Sequence, residues 1–91
     1  MKIIQSKKFQ RQAAKLVSGN KLLLAKLLDV YKMLEVDVFN PKLKTHKLKG
    51  ELEGYFSCSL TQNLRIVFKL ESINDEKTII LLTVGNHDEV Y

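Results

Sequence analysis

Two kinds of hydrophobic spacing divide the chain. From Phe9 to Leu34, apolar residues recur every three or four positions, as they do along one side of an α-helix. After Thr45 they alternate with polar residues or form short continuous runs, which is typical of β-strands. A short apolar stretch at residues 2–5 precedes the helical part. The pattern predicts an α+β protein with a strand, then helices, then a sheet.

The helical part predicts a hairpin of two antiparallel helices, because only a short turn separates them. Ser6 is a suitable N-cap for the first helix, and Gly19 and Asn20 form a stop signal at its end. The apolar residues at helical spacing are Phe9, Ala13, Leu16 and Val17 in the first helix and Leu23, Leu24, Leu27, Leu28, Tyr31 and Leu34 in the second. Residues 36–44 are predicted to form a loop that is broken at Pro41.

The strand part begins with a predicted hairpin. Residues 54–60 and 64–70 flank a three-residue connection. In the register that sets Cys58 opposite Ile66, one face is apolar and packs on the helices, and the other face carries Arg65. That polar face also carries Tyr55, Ser57, Ser59 and Lys69. Because a slip of one residue would bury Arg65, the register is well specified.

Two further strands complete the predicted sheet. Residues 45–49 form a short one, and residues 77–84 form a long one after a turn at residues 72–76. The long strand is continuously apolar, which favours the middle of the sheet. The prediction is therefore a short N-terminal strand, an antiparallel helix hairpin and then a mainly antiparallel sheet of three to four strands. Residues 1–91 form one domain.

Composition excludes several classes of protein. A chain of 91 residues with 45% hydrophobic residues is expected to fold around one small core. The one cysteine, Cys58, excludes an internal disulfide, argues against a Cys-rich metal site and fits a reducing cytosol. The most apolar helical stretch, residues 22–34, is too short and too interrupted by charge to span a bilayer. We therefore expect a cytoplasmic protein without a signal peptide or a membrane partner.

Charge is distributed unevenly along the chain. The first 49 residues hold 12 of the 15 Lys and Arg residues and three of the ten carboxylates, whereas the remainder is net acidic. A basic half on a small domain favours nucleic acid or an acidic protein as a partner. The alternative is that the lysines simply solvate two helices, and charge alone leaves both possibilities open.

Candidate chemistry lies at the chain end and on the polar sheet face. Cleaving RNA through its own 2′-hydroxyl needs a base, an acid and a cation, and neither a metal nor another cofactor. His87 and His46 are candidate acids or bases, since imidazole titrates near neutral pH. Arg65 offers a fork that fits phosphate, and Tyr91 is able to stack on a base. The structural alternatives are surface histidines, a plain basic strand, a pair of Arg65 with Glu53 and a tyrosine that closes the core.

The carboxylates next to His87 are weaker candidates for a catalytic role. Asp88 and Glu89 are predicted to be solvated or to pair with lysines. A string of adjacent His, Asp and Glu on a strand is weak evidence for a metal site, because neighbouring side chains point to opposite faces. No metal is predicted.

Four segments resemble a known family. They are Thr45–Gly50, Gly54–Ser57, Leu64–Phe68 and Leu81–Tyr91. Their order and spacing resemble those of the RelE/ParE superfamily of bacterial toxin–antitoxin toxins, most closely its RelE/StbE and YafQ-like branch. The predicted order of strand, helices and sheet also matches that fold, so the resemblance covers essentially the whole chain.

The resemblance implies a type II toxin that acts as a ribosome-dependent mRNA endonuclease. Such toxins enter the 70S ribosome, cut the message in the A site and stop translation. A cognate antitoxin blocks the toxin, and the pair often represses its own operon, so operator DNA is contacted only through the antitoxin. By position, His46 and His87 match residues that act on the scissile phosphate, Arg65 matches a charge-stabilising arginine, and Tyr91 matches an aromatic that positions the nucleotide.

Basic residues outside this set are expected to hold RNA. Those nearest His46 are Lys44, Lys47 and Lys49, and those on the first helix are Lys7, Lys8, Arg11 and Lys15. An acidic, partly disordered antitoxin segment is expected along the groove between the helix hairpin and the sheet.

Three positions depart from the YafQ-like pattern. Ser59, Asn63 and Leu64 stand where those proteins place a His, an Asp and a Trp. Either His87 and His46 share the work with Arg65, or the chain is a weaker enzyme. Two alternatives stay open: a ParE-like inhibitor of DNA gyrase with the same fold, against which His87 and Arg65 argue, and a catalytically weak toxin that acts mainly as an antitoxin-binding co-repressor.

Overall fold

The chain folds in the predicted α+β order. A computed structural model describes all 91 residues. The helices and strands are β1 (Lys2–Gln5), α1 (Lys7–Val17), α2 (Lys21–Val36), β2 (His46–Lys47), β3 (Phe56–Ser59), β4 (Leu64–Ile73), β5 (Glu76–Asn86) and α3 (His87–Val90). The five strands form one sheet in the order β1-β5-β4-β3-β2, in which only the β1–β5 pair is parallel. The prediction that the last long strand lies inside the sheet is confirmed.

The first helix begins and ends where the sequence predicts. The Ser6 hydroxyl oxygen accepts a hydrogen bond from the Phe9 amide at 3.0 Å and so caps α1. Phe9 and Ala13 are buried against the sheet. Asn20 caps the second helix by accepting from the Leu23 amide at 3.0 Å.

None of the three helices is long and apolar enough to cross a membrane.

The predicted apolar stripe of α2 is too wide. Leu27, Val30 and Leu34 form the buried row, at helical spacing. Leu24 and Leu28 remain 42% and 49% exposed. They lie on a flank of the helix that turns away from the sheet, whereas Val30, which the predicted stripe omits, lies in the buried row.

The predicted register of the β3–β4 hairpin is confirmed. Cys58 pairs with Ile66, and Phe56 pairs with Phe68. The next hairpin is tighter than the sequence analysis predicts, because β4 runs to Ile73 and β5 starts at Glu76. The two residues between them, at 74–75, have φ angles of 52° and 64°. Asn and Asp tolerate this left-handed conformation, which a two-residue hairpin turn requires.

A β-bulge interrupts the pairing of β4 with β5. The register shifts next to Phe68, where Leu82 has no partner on β4. Gln12 of α1 reaches this point, and its Oε1 accepts hydrogen bonds from the Val84 amide and the Thr83 hydroxyl, each at 2.9 Å. The bulge is therefore tied to the helix layer by a side chain, which supplies the acceptor for both of these donors.

The bulge also changes which residues of β5 face the core. Leu81 is buried in the core before the bulge, and Val84, opposite Ile66, is buried in it afterwards. Gly85 consequently stands opposite Arg65, on the face that points away from the helix hairpin. The bulge thus shifts the alternation of side chains along β5 by one residue. This shift sets the position from which residues 87–91 leave the sheet.

Candidate active site

Side chains on three strands meet on the sheet face opposite the core. Ile66 and Phe68 of β4 point into the core. Arg65 directly precedes Ile66, so its side chain points to the other face of the sheet. The ladder pairs Ser59 with Arg65 and His46 with Ser57. Because directly opposite residues of antiparallel strands share a face, one face carries Arg65, both serines and His46.

This second face is partly covered, although the sequence alone indicates no segment that would cover it. Ser57 is fully buried and Val67 is 2% exposed, and neither belongs to the main core cluster. The four-residue helix α3 folds back over them and buries its own Val90 to 8% exposure. The pattern of the last residues predicts a polar tail after a strand and does not predict this helix.

Residues 85–89 explain why α3 forms where it does. The Asn86 side chain accepts from the Glu89 amide, and the Glu89 carboxylate accepts from the Asn86 amide, both at 2.9 Å. This is a capping box. A Cβ on Gly85 would lie 3.0 Å from Glu89 Cβ, so glycine makes room for the returning helix. Asp88 and Glu89 are both exposed, as predicted. The Glu89 carboxylate has in addition a capping role that the sequence analysis does not assign to it.

Arg65 is held by the β3–β4 connection. Its Nη1 donates to the Ser59 hydroxyl at 2.9 Å and to the Thr61 carbonyl at 3.0 Å. A longer contact of 3.3 Å reaches the Gln62 carbonyl. All these contacts use one nitrogen, so the remaining N–H groups of the fork are available to a ligand. The alternative pairing with Glu53 does not occur, since no carboxylate lies within ion-pair distance.

The structure brings Arg65 and His87 to the same depression. Its volume is about 370 Å³, and no apolar residue lines it. The other lining residues are Gln62, Asn63, Asn86 and Asp88. No feature of the sequence indicates a role for Gln62 or Asn86, because only the fold shows that the β3–β4 connection and the end of β5 are neighbours.

Tyr91 connects the chain end to the sheet. Its hydroxyl donates to Ser57 Oγ, and its ring packs edge-on against the His87 ring with 4.4 Å between the centroids. The His87 side chain is 74% exposed, and its Nδ1 lies 3.8 Å from Asp88 Oδ1. His87 is therefore open to a ligand on one side and supported by an aromatic ring on the other.

His46 lies at the sheet edge and not in the depression. It is exposed on β2, and its Nδ1 lies 3.1 Å from the Lys44 carbonyl oxygen. Its link to the other candidates runs through Ser57, its ladder partner, which also receives the Tyr91 hydroxyl. The structure thus joins Arg65, His87 and Tyr91 closely and leaves His46 at their margin.

The predicted RNA-binding cations are divided between two layers. Lys47 and Lys49 line a second depression of about 580 Å³, at the β2–β3 connection. Lys44 lies just before β2 in a left-handed conformation, with φ 53°. The four cations of α1 are exposed on the helix layer, across the sheet from Arg65. None of the seven lines the depression that holds Arg65 and His87.

Cys58 has no place in the chemistry of this face. It is buried in the core, and burial raises the pKa of its thiol to about 12, although the charge of Arg65 lowers it slightly. The thiol therefore stays protonated near neutral pH and is a poor nucleophile.

No three His, Cys, Asp or Glu side chains are grouped so that they could hold a metal ion.

Comparisons with known proteins agree with this architecture. The model of the family described as "Bacterial toxin of type II toxin-antitoxin system, YafQ" matches residues 1–91. A metal-bound toxin from Helicobacter pylori is 32% identical, with a TM-score of 0.79, and the match covers 100% of this chain and 99% of that one. No curated protein matches the chain.

Two more distant structures share the fold. The YoeB/ParE toxin from Agrobacterium tumefaciens is 20% identical with a TM-score of 0.81, and the match covers 96% of this chain and 99% of that one. The chain matched in the Escherichia coli DinJ–YafQ complex is also 20% identical, with a TM-score of 0.75 and coverage of 98% and 96%.

Proposed function

The chain belongs to the YafQ family of bacterial type II toxin–antitoxin toxins, and we propose that it is a ribosome-dependent mRNA endonuclease. The observation that carries the proposal is the single depression lined by Arg65 and His87. Its polar lining suits a phosphate and its sugar, and the two side chains supply a cation and a titratable imidazole.

The proposed reaction is an attack by the message on its own backbone. The 2′-oxygen bonds to the adjacent phosphorus as its proton leaves, and the bond from phosphorus to the 5′-oxygen breaks. The products are a 2′,3′-cyclic phosphate and a 5′-hydroxyl that has gained a proton. A base and an acid move these protons, and no metal is required.

Each candidate residue has a role in this reaction. His87 serves as general acid or base, because its ring is exposed at the depression. Arg65 stabilises the charge that develops on the phosphate oxygens, using the N–H groups that the β3–β4 connection leaves free. The Tyr91 ring positions the nucleotide, and His46 assists from the sheet edge.

The ribosome supplies much of the rate in this proposal. A shallow depression with few groups holds free RNA poorly, so alignment of the 2′-oxygen with the phosphate comes mainly from the A site. The cations near β2, and those of α1 on the other layer, hold the ribosomal or messenger backbone from two sides. Free RNA should accordingly be cut slowly.

A cognate antitoxin is the second proposed partner. The YafQ toxin of Escherichia coli has been solved in a complex with DinJ, which supports a protein partner for this chain as well. An acidic segment laid between the helix hairpin and the sheet would neutralise the basic surface and become ordered on binding. In this proposal the pair reaches operator DNA only through the antitoxin, and the toxin acts in the cytoplasm.

Primer extension on ribosome-bound message tests the catalytic assignment. Arg65→Ala and His87→Ala should each reduce cutting by about a hundredfold or more, since an acid–base group or a charge stabiliser contributes on that order. Lys69→Ala is the matched control, because Lys69 is a cation on the same strand that pairs with Glu71 at 2.8 Å and does not line the depression. Cutting at the parent's rate by both site variants would refute the assignment.

The same experiment separates the alternatives. A gyrase inhibitor would induce DNA damage signalling on expression and leave the message uncut. A toxin that serves mainly as an antitoxin-binding co-repressor would cause no growth arrest when expressed without its partner. The shared depression of Arg65 and His87 favours the nuclease over both.

A further inference from the structure

A buried hydroxyl lies beneath the C-terminal helix. Ser57 is one of three buried polar or charged residues in the chain and is fully inaccessible. Its oxygen accepts the hydrogen bond from Tyr91 across 34 residues of sequence. A buried polar group normally has such a partner, and here the partner is the last residue of the chain.

The last five residues have few other anchors. The α3 helix is four residues long, and its capping box joins it only to its own first turn. Val90 is its one buried residue. A helix of four residues has little stability of its own, so the Tyr91–Ser57 hydrogen bond is the polar contact that fixes this segment to the sheet.

The anchored tyrosine determines where the imidazole stands. The Tyr91 ring meets the His87 ring edge-on, at 4.4 Å and an interplanar angle of 83°. Apart from Asp88, at 3.8 Å, no other side chain is in polar contact with His87. Arg65 is fixed independently by the β3–β4 connection, so the distance between the two candidate groups depends on how firmly Tyr91 is held.

We infer that Ser57 is a positioning residue that acts through Tyr91 and holds His87 at the depression shared with Arg65. This inference rests on the proposed function, because it gives His87 the role of acid or base. Ser57 itself contacts no substrate, since it is fully buried. In this chain the tyrosine hydroxyl is thus an anchor, and the aromatic ring is the part that faces the nucleotide.

Single-turnover cleavage of saturating ribosome-bound message tests the inference. Ser57→Ala should cut about tenfold more slowly, because a lost hydrogen bond corresponds to roughly a tenfold change in the population of the ordered tail. The ribosome concentration that gives half the maximal rate should stay unchanged. Tyr91→Phe keeps the ring and removes the donor, so it should lose the same factor, and the double variant should be no slower than either single one.

Thr78→Val is the matched control. Thr78 is also a buried hydroxyl, 1% exposed, and its Oγ1 donates to the Glu76 carbonyl at 3.1 Å, away from the depression. This variant loses a comparable hydrogen bond and should cut at the parent's rate. Parent-like cutting by Ser57→Ala would overturn the inference. So would losses that multiply in the double variant, or an equal loss in Thr78→Val.

Amide hydrogen exchange of the isolated chain gives a second readout, independent of activity. The amides of Glu89 and Tyr91, which are hydrogen-bonded in the structure, should exchange about tenfold faster in Ser57→Ala and in Tyr91→Phe, with the central strands unchanged. Unchanged exchange there would also overturn the inference. Failure of the proposed function has a different signature, because the parent chain itself would then leave ribosome-bound message intact.

Discussion

Serine hydroxyls hold the two groups proposed to act on the phosphate. Ser59 Oγ accepts from Arg65, and Ser57 Oγ accepts from Tyr91, which supports His87. Ser59 stands where the resemblance leads one to expect a histidine, so at this position an anchor for the guanidinium replaces a titratable group. At the scale of single residues, serine hydroxyls therefore fix Arg65 directly and support His87 through Tyr91.

The Cys58 thiol provides a test of burial at the same scale. Burial raises its pKa from 9.0 to about 12, so the folded chain binds the proton more tightly than the unfolded chain does. The stability that this contributes is fully present below pH 9 and is lost as the pH rises through 12. At pH 9, iodoacetamide should label Cys58 readily in urea and very slowly in the folded protein. Rapid labelling of the folded protein would contradict this placement.

Some residue contacts could be predicted from the sequence and others could not. Asn86 followed three residues later by Glu89 is a capping-box signature, and it would have indicated the start of α3. The role of Ser57 has no comparable signal, because a serine alternating with apolar residues looks solvent-exposed until another segment covers it. Its burial depends on a helix that is distant in the sequence.

At the scale of elements, the bulge in β5 organises the site. It turns Val84 into the core and Gly85 toward Arg65, and it is closed by two hydrogen bonds to Gln12. Alternation predicts the β3–β4 register correctly because that hairpin contains no bulge. The same reasoning does not reveal the shift in β5, since a continuous apolar run has no alternation from which an extra residue could be detected.

Gln12→Ala tests the importance of the bulge. The variant leaves the buried Val84 amide without its acceptor, so the free energy of unfolding should fall by about 2 kcal/mol. Urea denaturation measures this change. Gln10→Ala is the control, because Gln10 is exposed and makes only a 3.2 Å contact with the Gln5 carbonyl. Equal stability losses in the two variants would argue that the bulge is not held from α1.

At the scale of the molecule, the order of elements follows from the sequence but the distribution of charge does not. Hydrophobic spacing predicts the strand, the helix hairpin and the antiparallel strands. It does not tell which layer each lysine occupies relative to Arg65. The structure sets the α1 cations on the helix layer and Lys47 and Lys49 beside β2, so contact with the ribosome is expected over two surfaces.

Salt dependence tests this division of charge. Replacing Lys44, Lys47 and Lys49 together by Ala should weaken ribosome binding and lower the slope of log affinity against log salt by about 2 to 3. The cutting rate at saturating ribosomes should change little. Replacing Lys21, Lys26 and Lys32 on α2 removes the same charge and should have a smaller effect. Equal effects of the two triple variants would mean that binding follows net charge and not the β2 surface.

The central claim is that Arg65 and His87 act on one phosphate of ribosome-bound message. Its most direct test is a single-turnover cleavage cycle with the parent, Arg65→Ala, His87→Ala and the double variant, with the 2′,3′-cyclic end identified on the parent's product. The account predicts a loss of about a hundredfold or more for each single variant, and a double variant far less impaired than the product of the two losses. Parent-like cleavage by either single variant, or an uncut message with the parent itself, would contradict it.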